Sequence, residues 1–186
     1  VPTSSQSAGR ERLVACALDM LREGDPADVS IREVSRRAGV ASGTPYHHFG
    51  DRDGLLAACA QVGWEELAAR LADVDVALDP DAQMAAIARA YLGFAFANPG
   101  LYRLMMSAGA GDAIHAQDIV AVRSEAMGQV TRRLAGRGDD AAALKARGTA
   151  LWSLAHGYAM LRLDGAVTGD ADAQVESIAA AMAKLA

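Results

Sequence analysis

The chain has 186 residues, 52% of them hydrophobic and 22% charged, which is enough apolar material for a sizeable core in one or two compact domains. A formal charge of -5 excludes a surface that binds nucleic acid throughout and leaves only a local basic patch for that task. No stretch reaches the roughly 18 apolar residues of a membrane span, and the opening ten residues lack the apolar centre of a secretion signal, so a cytoplasmic protein with no membrane partner is expected. Alanine dominates and aromatics make up 5%, with no run of alternating β-branched residues, which favours an all-α fold of about nine helices.

Residues 1–8 are rich in serine and small side chains and read as a disordered tail. From near Gly9, Leu13, Ala17, Met20 and Leu21 recur at helical spacing until Gly24-Asp25-Pro26 supplies a stop. Ser30 and Glu33 match the S-x-x-E capping box, which predicts a second helix of about two turns. Its Ile31, Val34 and Ala38 face the core, Arg32, Arg36 and Arg37 face outward, and Gly39 ends it. Beyond Val40-Ala41, Ser42 is the expected cap of a very short third helix running to about His48. Pro45 is tolerated there because N–H groups in a first turn have no internal partner. Asp51 then caps a long fourth helix carrying Leu55, Leu56, Cys59, Val62, Leu67 and Leu71, and a domain boundary is placed inside it, near residue 53. This divides the chain into a small unit, residues 9–53, and a larger one, residues 54–186.

Downstream, Asp79-Pro80-Asp81 opens a fifth helix with Met84, Ile87, Tyr91, Leu92 and Phe94, and Asn98-Pro99-Gly100 precedes a short sixth from Leu101 to Ser107. A seventh helix carries Ile119, Val122, Met127, Val130 and Leu134 and ends at Gly136-Arg137-Gly138. Asp139 or Asp140 caps an eighth, to about Asp164, and a last helix runs from about Asp172 to Leu185. Cys16 and Cys59 lie in helical apolar patterns with no C-x-x-C spacing and read as reduced, buried thiols.

Residues 29–56 describe two short helices around a glycine turn, the helix-turn-helix arrangement in which the second helix enters the major groove and the first crosses the phosphate backbone. Arg32, Arg36, Arg37 and Arg52 stand against Glu33 and Asp51, making this segment locally positive. Ser30, Ser42, Thr44 and Tyr46 offer hydroxyls, His47 and His48 ring N–H donors, and Gly43 lies at the start of the reading helix. Tyr46 reads as a phosphate contact. His48, before Phe49, reads better as a packing and capping group, and Arg36 and Arg37 read equally well as a solvated face or as DNA contacts.

This stretch resembles the N-terminal pattern of the tetracycline-repressor (TetR) family. Ser30, Val34, Ala38, Gly39, Val40, Gly43, Tyr46, His48, Phe49, Arg52 and Leu55 fall at matching positions, with Ser35 standing for the common alanine, Ala41 for the serine cap and Arg52 for lysine. Trp152, His156 and Gly157, together with the segment Asn98 to Met105, resemble the C-terminal domain of the family's WHG subgroup. The resemblance implies a regulator, most simply a repressor, that binds palindromic double-stranded operator DNA. It further implies a homodimer formed through the last two helices, a phosphate-facing Arg52, and release by a small apolar or amphipathic effector.

Trp152 and His156 are spaced i, i+4 and share a helix face; a core tryptophan with a satisfied histidine is the plainer reading and a ligand cavity the sharper one. Trp64, Tyr91, Phe94, Met105, Met106, Met127 and Met160 are the further candidates for lining such a cavity. The sequence has no Glu-x-x-His pairs, H-E-x-x-H or P-loop, so no enzyme, metal or cofactor is expected. The alternative function is a helical protein that binds a small molecule without functional DNA binding.

Overall fold

The computed structural model describes residues 4–107, 113–135 and 140–185. Among them lie nine α-helices and one short 3₁₀ turn. These are α1 (Ser4–Glu23), the 3₁₀ turn Pro26–Asp28, α2 (Ile31–Ala38), α3 (Thr44–Phe49), α4 (Arg52–Ala72), α5 (Pro80–Ala97), α6 (Pro99–Met106), α7 (Ala113–Leu134), α8 (Ala141–Leu163) and α9 (Ala171–Leu185). The all-helical expectation holds. Helical backbone begins at Ser4, so residues 4–8 continue the first helix where a disordered tail was expected. The glycine stop expected at residues 136–138 lies outside the described residues.

Four of the nine helices among the described residues start at carboxylates that accept orphan N–H groups. Asp51 Oδ1 accepts from Gly54, Asp79 Oδ1 from Ala82, Asp140 Oδ1 from Ala143 and Asp170 Oδ1 from Ala173, at 2.8, 3.0, 2.8 and 3.1 Å. Each also places a negative charge at the positive end of a helix dipole.

The chain forms two compact units. The first comprises Val1–Trp64 and Asn98–Ala121, and the second Glu65–Ala97 and Val122–Ala186. The division falls inside α4, after Trp64, and α6 belongs to the first unit. In that unit α1 packs against α2, α3 and α6. Leu13, Ala17 and Leu21 form the buried stripe of α1, and Val34, Leu55, Cys59, Leu101 and Tyr102 are buried with them. Burial pushes the Cys59 thiol up to about 12, which leaves it protonated and inert.

The docking of α6 on α1 is unusually close. A β-carbon at Gly100 would lie under 3.0 Å from the carbonyl oxygens of Leu21 and Gly24. The neighbouring Asn98, buried, accepts a hydrogen bond from Arg22 Nε at 3.3 Å.

In the second unit α5 packs along α9 and against α8. Met84, Ile87, Ala88, Leu92 and Phe94 of α5 are buried, as are Leu151 and Ala155 of α8 and Ala179 and Met182 of α9. Arg89 and Glu176 join α5 to α9 through two hydrogen bonds of 2.6 and 2.7 Å. Both side chains are largely exposed, so the pair fixes alignment more than it adds stability. No helix among the described residues is long and apolar enough to cross a membrane.

Candidate nucleic-acid interface

The candidate interface is built from α2, a five-residue turn, and α3. Ser30 caps α2, its Oγ accepting from the Glu33 N–H at 3.2 Å. The glutamate's half of the expected box is drawn elsewhere. Its carboxylate accepts from Arg36 Nε and Nη2 at 2.8 and 2.7 Å and from Arg37 Nε at 2.9 Å. These two guanidinium groups hold the Glu33 carboxyl down to about 2. Ser35, which replaces the family's common alanine, is buried and donates to the Ile31 carbonyl at 2.8 Å, so its hydroxyl is satisfied within the helix.

Gly39 closes α2 in the left-handed region at φ 64, with the Val40 N–H bonded to Ser35 and the Gly39 N–H to Arg36. A side chain there would be strained, which explains the glycine. The turn carries a hydrogen bond from the Thr44 N–H to the Ala41 carbonyl at 2.9 Å. The start of α3 corrects the sequence expectation: Gly43, not Ser42, is the cap residue, with no side-chain cap. Ser42 lies exposed in the turn, Pro45 sits within the first two helical positions, and the helix runs to Phe49. Gly43 has an ordinary φ of -81 and open space around a β-carbon, so nothing within the chain demands glycine there.

Pro45 and Phe49 anchor α3 inward. Tyr46, 56% exposed, and His47 point outward, while Thr44 is half-buried. His48 is half-buried, its ring 6.0 Å from Phe49 and 5.4 Å edge-on to His47, in keeping with its packing reading. On α2, Arg32 and Arg36 are exposed and Arg37 is partly so; among the described residues Arg32 has no charged partner.

Arg52 is the candidate with the most extensive partners within the chain. Its guanidinium donates to the carbonyls of Pro26 at 2.5 Å and Val29 at 2.7 Å, binding the segment before α2 to the first turn of α4. The resemblance implies a phosphate-facing role for it; the carbonyls that hold it, 23 and 26 residues away, are not visible in the sequence. Arg52→Ala should destabilise the protein by about 2 kcal/mol, the order expected for lost charged hydrogen bonds at a part-buried site, as read by denaturant unfolding. An unchanged midpoint would return Arg52 to the list of DNA contacts.

Arg12 was missed. With Gly9 of α1 it borders the same shallow hollow as Gly43, Thr44, His47 and His48. It is exposed and unpaired among the described residues, and no local motif marks it.

The nine effector candidates fall in both units. Trp64, Met105 and Met106 belong to the first unit; Tyr91, Phe94, Met127, Trp152, His156 and Met160 belong to the second. Trp64, Tyr91, Phe94 and Met105 are buried, and Met106 and Met160 are half-buried. Trp152 stacks on His156 with centroids 5.6 Å apart and donates through Nε1 to the Tyr91 hydroxyl at 3.2 Å. Partial burial lowers the His156 pKa, favouring the neutral ring. Only Met127 and Trp152 of the nine line the cleft of about 420 Å³ between α7 and α8.

A model of bacterial regulatory proteins of the tetR family matches residues 13–59, and one of tetracyclin repressor-like C-terminal domains matches residues 84–185. An HTH-type transcriptional regulator BetI from Stenotrophomonas maltophilia is 35% identical over 80 residues, covering 42% of this chain and 41% of that protein. The chain thus spans about two fifths of the length of the curated relatives it matches. A solved protein of unknown function from Rhodococcus sp. RHA1 is 26% identical with a TM-score of 0.75, covering 95% of this chain and 92% of that one. A tetR-family transcriptional regulator from Streptomyces coelicolor aligns with a TM-score of 0.76 at 24% identity, covering 95% of this chain and 81% of the other. With both halves of its length matched and its helix-turn-helix intact, the chain belongs to the tetracycline-repressor family of DNA-binding transcriptional regulators.

Proposed function

We propose that the protein is a repressor that binds a palindromic operator as a homodimer, with the first unit reading DNA and the second dimerising and sensing a small effector. The observation that carries the DNA-reading assignment is Tyr46. A large aromatic stands 56% exposed on a helix pinned beneath by Pro45 and Phe49, where its hydroxyl is free to donate to a phosphate. Arg32, Arg36, Arg37 and Arg12 supply positive charge near it, Ser30, Ser42, Thr44 and His47 further donors, and Gly43 room for close approach. His48 supports the helix from behind. A single short reading helix gains little affinity, so two-fold symmetry suits the task. Leu161, 51% exposed on α8, and the half-buried Val175 and Ile178 of α9 support dimerisation through those helices.

An effector releases DNA only by binding the DNA-incompatible arrangement more tightly. Met127 and Trp152, with His156 stacked behind the indole, are the strongest of the sensing candidates. Selection of duplexes from a random pool at low salt tests the reading: a palindrome should be enriched, and affinity should fall steeply as salt rises. Tyr46→Ala should weaken operator binding about 100-fold. That corresponds to one phosphate hydrogen bond of about 1.5 kcal/mol lost from each of two subunits. Effector binding without any salt-sensitive duplex binding would favour a small-molecule-binding protein instead.

A further inference from the structure

We infer that the cleft between α7 and α8 takes a small amphipathic monocarboxylic acid, with its acid group on Lys145. The inference rests on the effector reading above and specifies the chemistry of its ligand. Met127, Val130, Leu144 and Trp152 make the cleft largely apolar, and its volume of about 420 Å³ falls in the range of small-molecule sites. Three polar side chains line it: Thr131, Thr149 and Lys145.

Both threonine hydroxyls donate to their own helix, Thr131 to the Met127 carbonyl at 3.2 Å and Thr149 to the Lys145 carbonyl at 2.9 Å. Their protons are thereby occupied, and the ammonium of Lys145 is the side-chain donor left for a ligand. Among the described residues Lys145 has no carboxylate partner, and no acidic side chain lines the cleft. A cationic ligand would meet like charge with nothing to offset it, and a neutral one would leave the ammonium unused. An anionic head on an apolar body satisfies both parts of the lining.

The full-length protein, titrated by calorimetry with decanoate and with 2-naphthoate, tests this, with 1-decanol and 2-naphthol as the uncharged counterparts. The two acids separate an alkyl from an aryl preference. At least one acid should bind about tenfold or more tightly than its alcohol. Lys145→Met should lose that advantage without changing alcohol binding, and Lys145→Arg should keep it. Lys145 is exposed, so both variants should retain the parent's melting temperature. No binding of either acid, equal binding of acid and alcohol, or an unaffected Lys145→Met would overturn the inference. An operator complex measured in parallel separates the two readings: acid binding through Lys145 with unchanged DNA affinity upholds the cleft assignment and removes only the effector role.

Discussion

Gly100→Ala should lower the melting temperature by roughly 6–12 °C, the consequence of about 3 kcal/mol lost in a chain of this size. The atoms a methyl group would meet are the backbone oxygens of Leu21 and Gly24, which cannot rotate away as a side chain does. To admit it, α6 must lift from the end of α1. That movement loosens the buried Leu101 and Tyr102 and strains the bond between Arg22 and Asn98. A control separates this from any general effect of alanine in a helix. Gly93 in α5 has open space around a β-carbon, so Gly93→Ala should be neutral or stabilising by up to about 1 kcal/mol through helix propensity alone. Thermal unfolding of the two variants side by side decides the matter, and a Gly100→Ala protein that melts with the parent would show that the close approach is not maintained.

Glu33→Gln should tighten operator binding by roughly tenfold at low salt, an advantage that shrinks as salt is added. In the free protein the Glu33 carboxylate occupies Arg36 and Arg37 together, so phosphates must compete with it for both guanidinium groups. Replacing the acid by an amide removes the competitor and one negative charge per reading head. The change also has a pH signature. A carboxyl whose pKa is depressed in the folded state contributes stability that is present above its unfolded pKa near 4.5 and is lost as pH falls through about 2. Parent and variant should therefore differ in unfolding at pH 7 and converge in that acidic window. Affinity measured by titration of labelled operator, at two salt concentrations, checks the first part; unchanged or weaker binding by Glu33→Gln would mean that these arginines do not face phosphate.

Local chemistry was readable in the sequence wherever a cap or turn depends on residues a few positions apart. Ser30, Gly39, Asp51, Asp79 and Asp140 announced their helix ends because the groups they satisfy lie within four residues. The start of α3 was misplaced by one residue for the same reason. Ser42 is the better capping residue in isolation, but the Thr44–Ala41 turn hydrogen bond moves the helix start beyond it. Long-range commitments were not readable. Arg52 looks like any basic residue until Pro26 and Val29 are beside it, and Gly100 looks like helix punctuation until Leu21 arrives. Methionines and aromatics fill cores and line pockets alike, so the effector candidates were sorted only by which compact unit holds each and which side chains border the cleft. Lys145, Thr131 and Thr149 belong to no motif, so in the sequence they look like ordinary polar residues on helix surfaces.

The placement of residues 98–121 with the first unit has a bearing on how this regulator can be taken apart. A fragment ending at residue 64 would keep the whole helix-turn-helix yet lose Leu101, Tyr102, Leu104 and Met105, all buried in the intact chain. The helix-turn-helix segment is therefore not a self-contained cassette for grafting onto another protein. A chimera joined after α4 would have to import a segment equivalent to α6 from its new partner, complete with a residue small enough to rest on the end of α1.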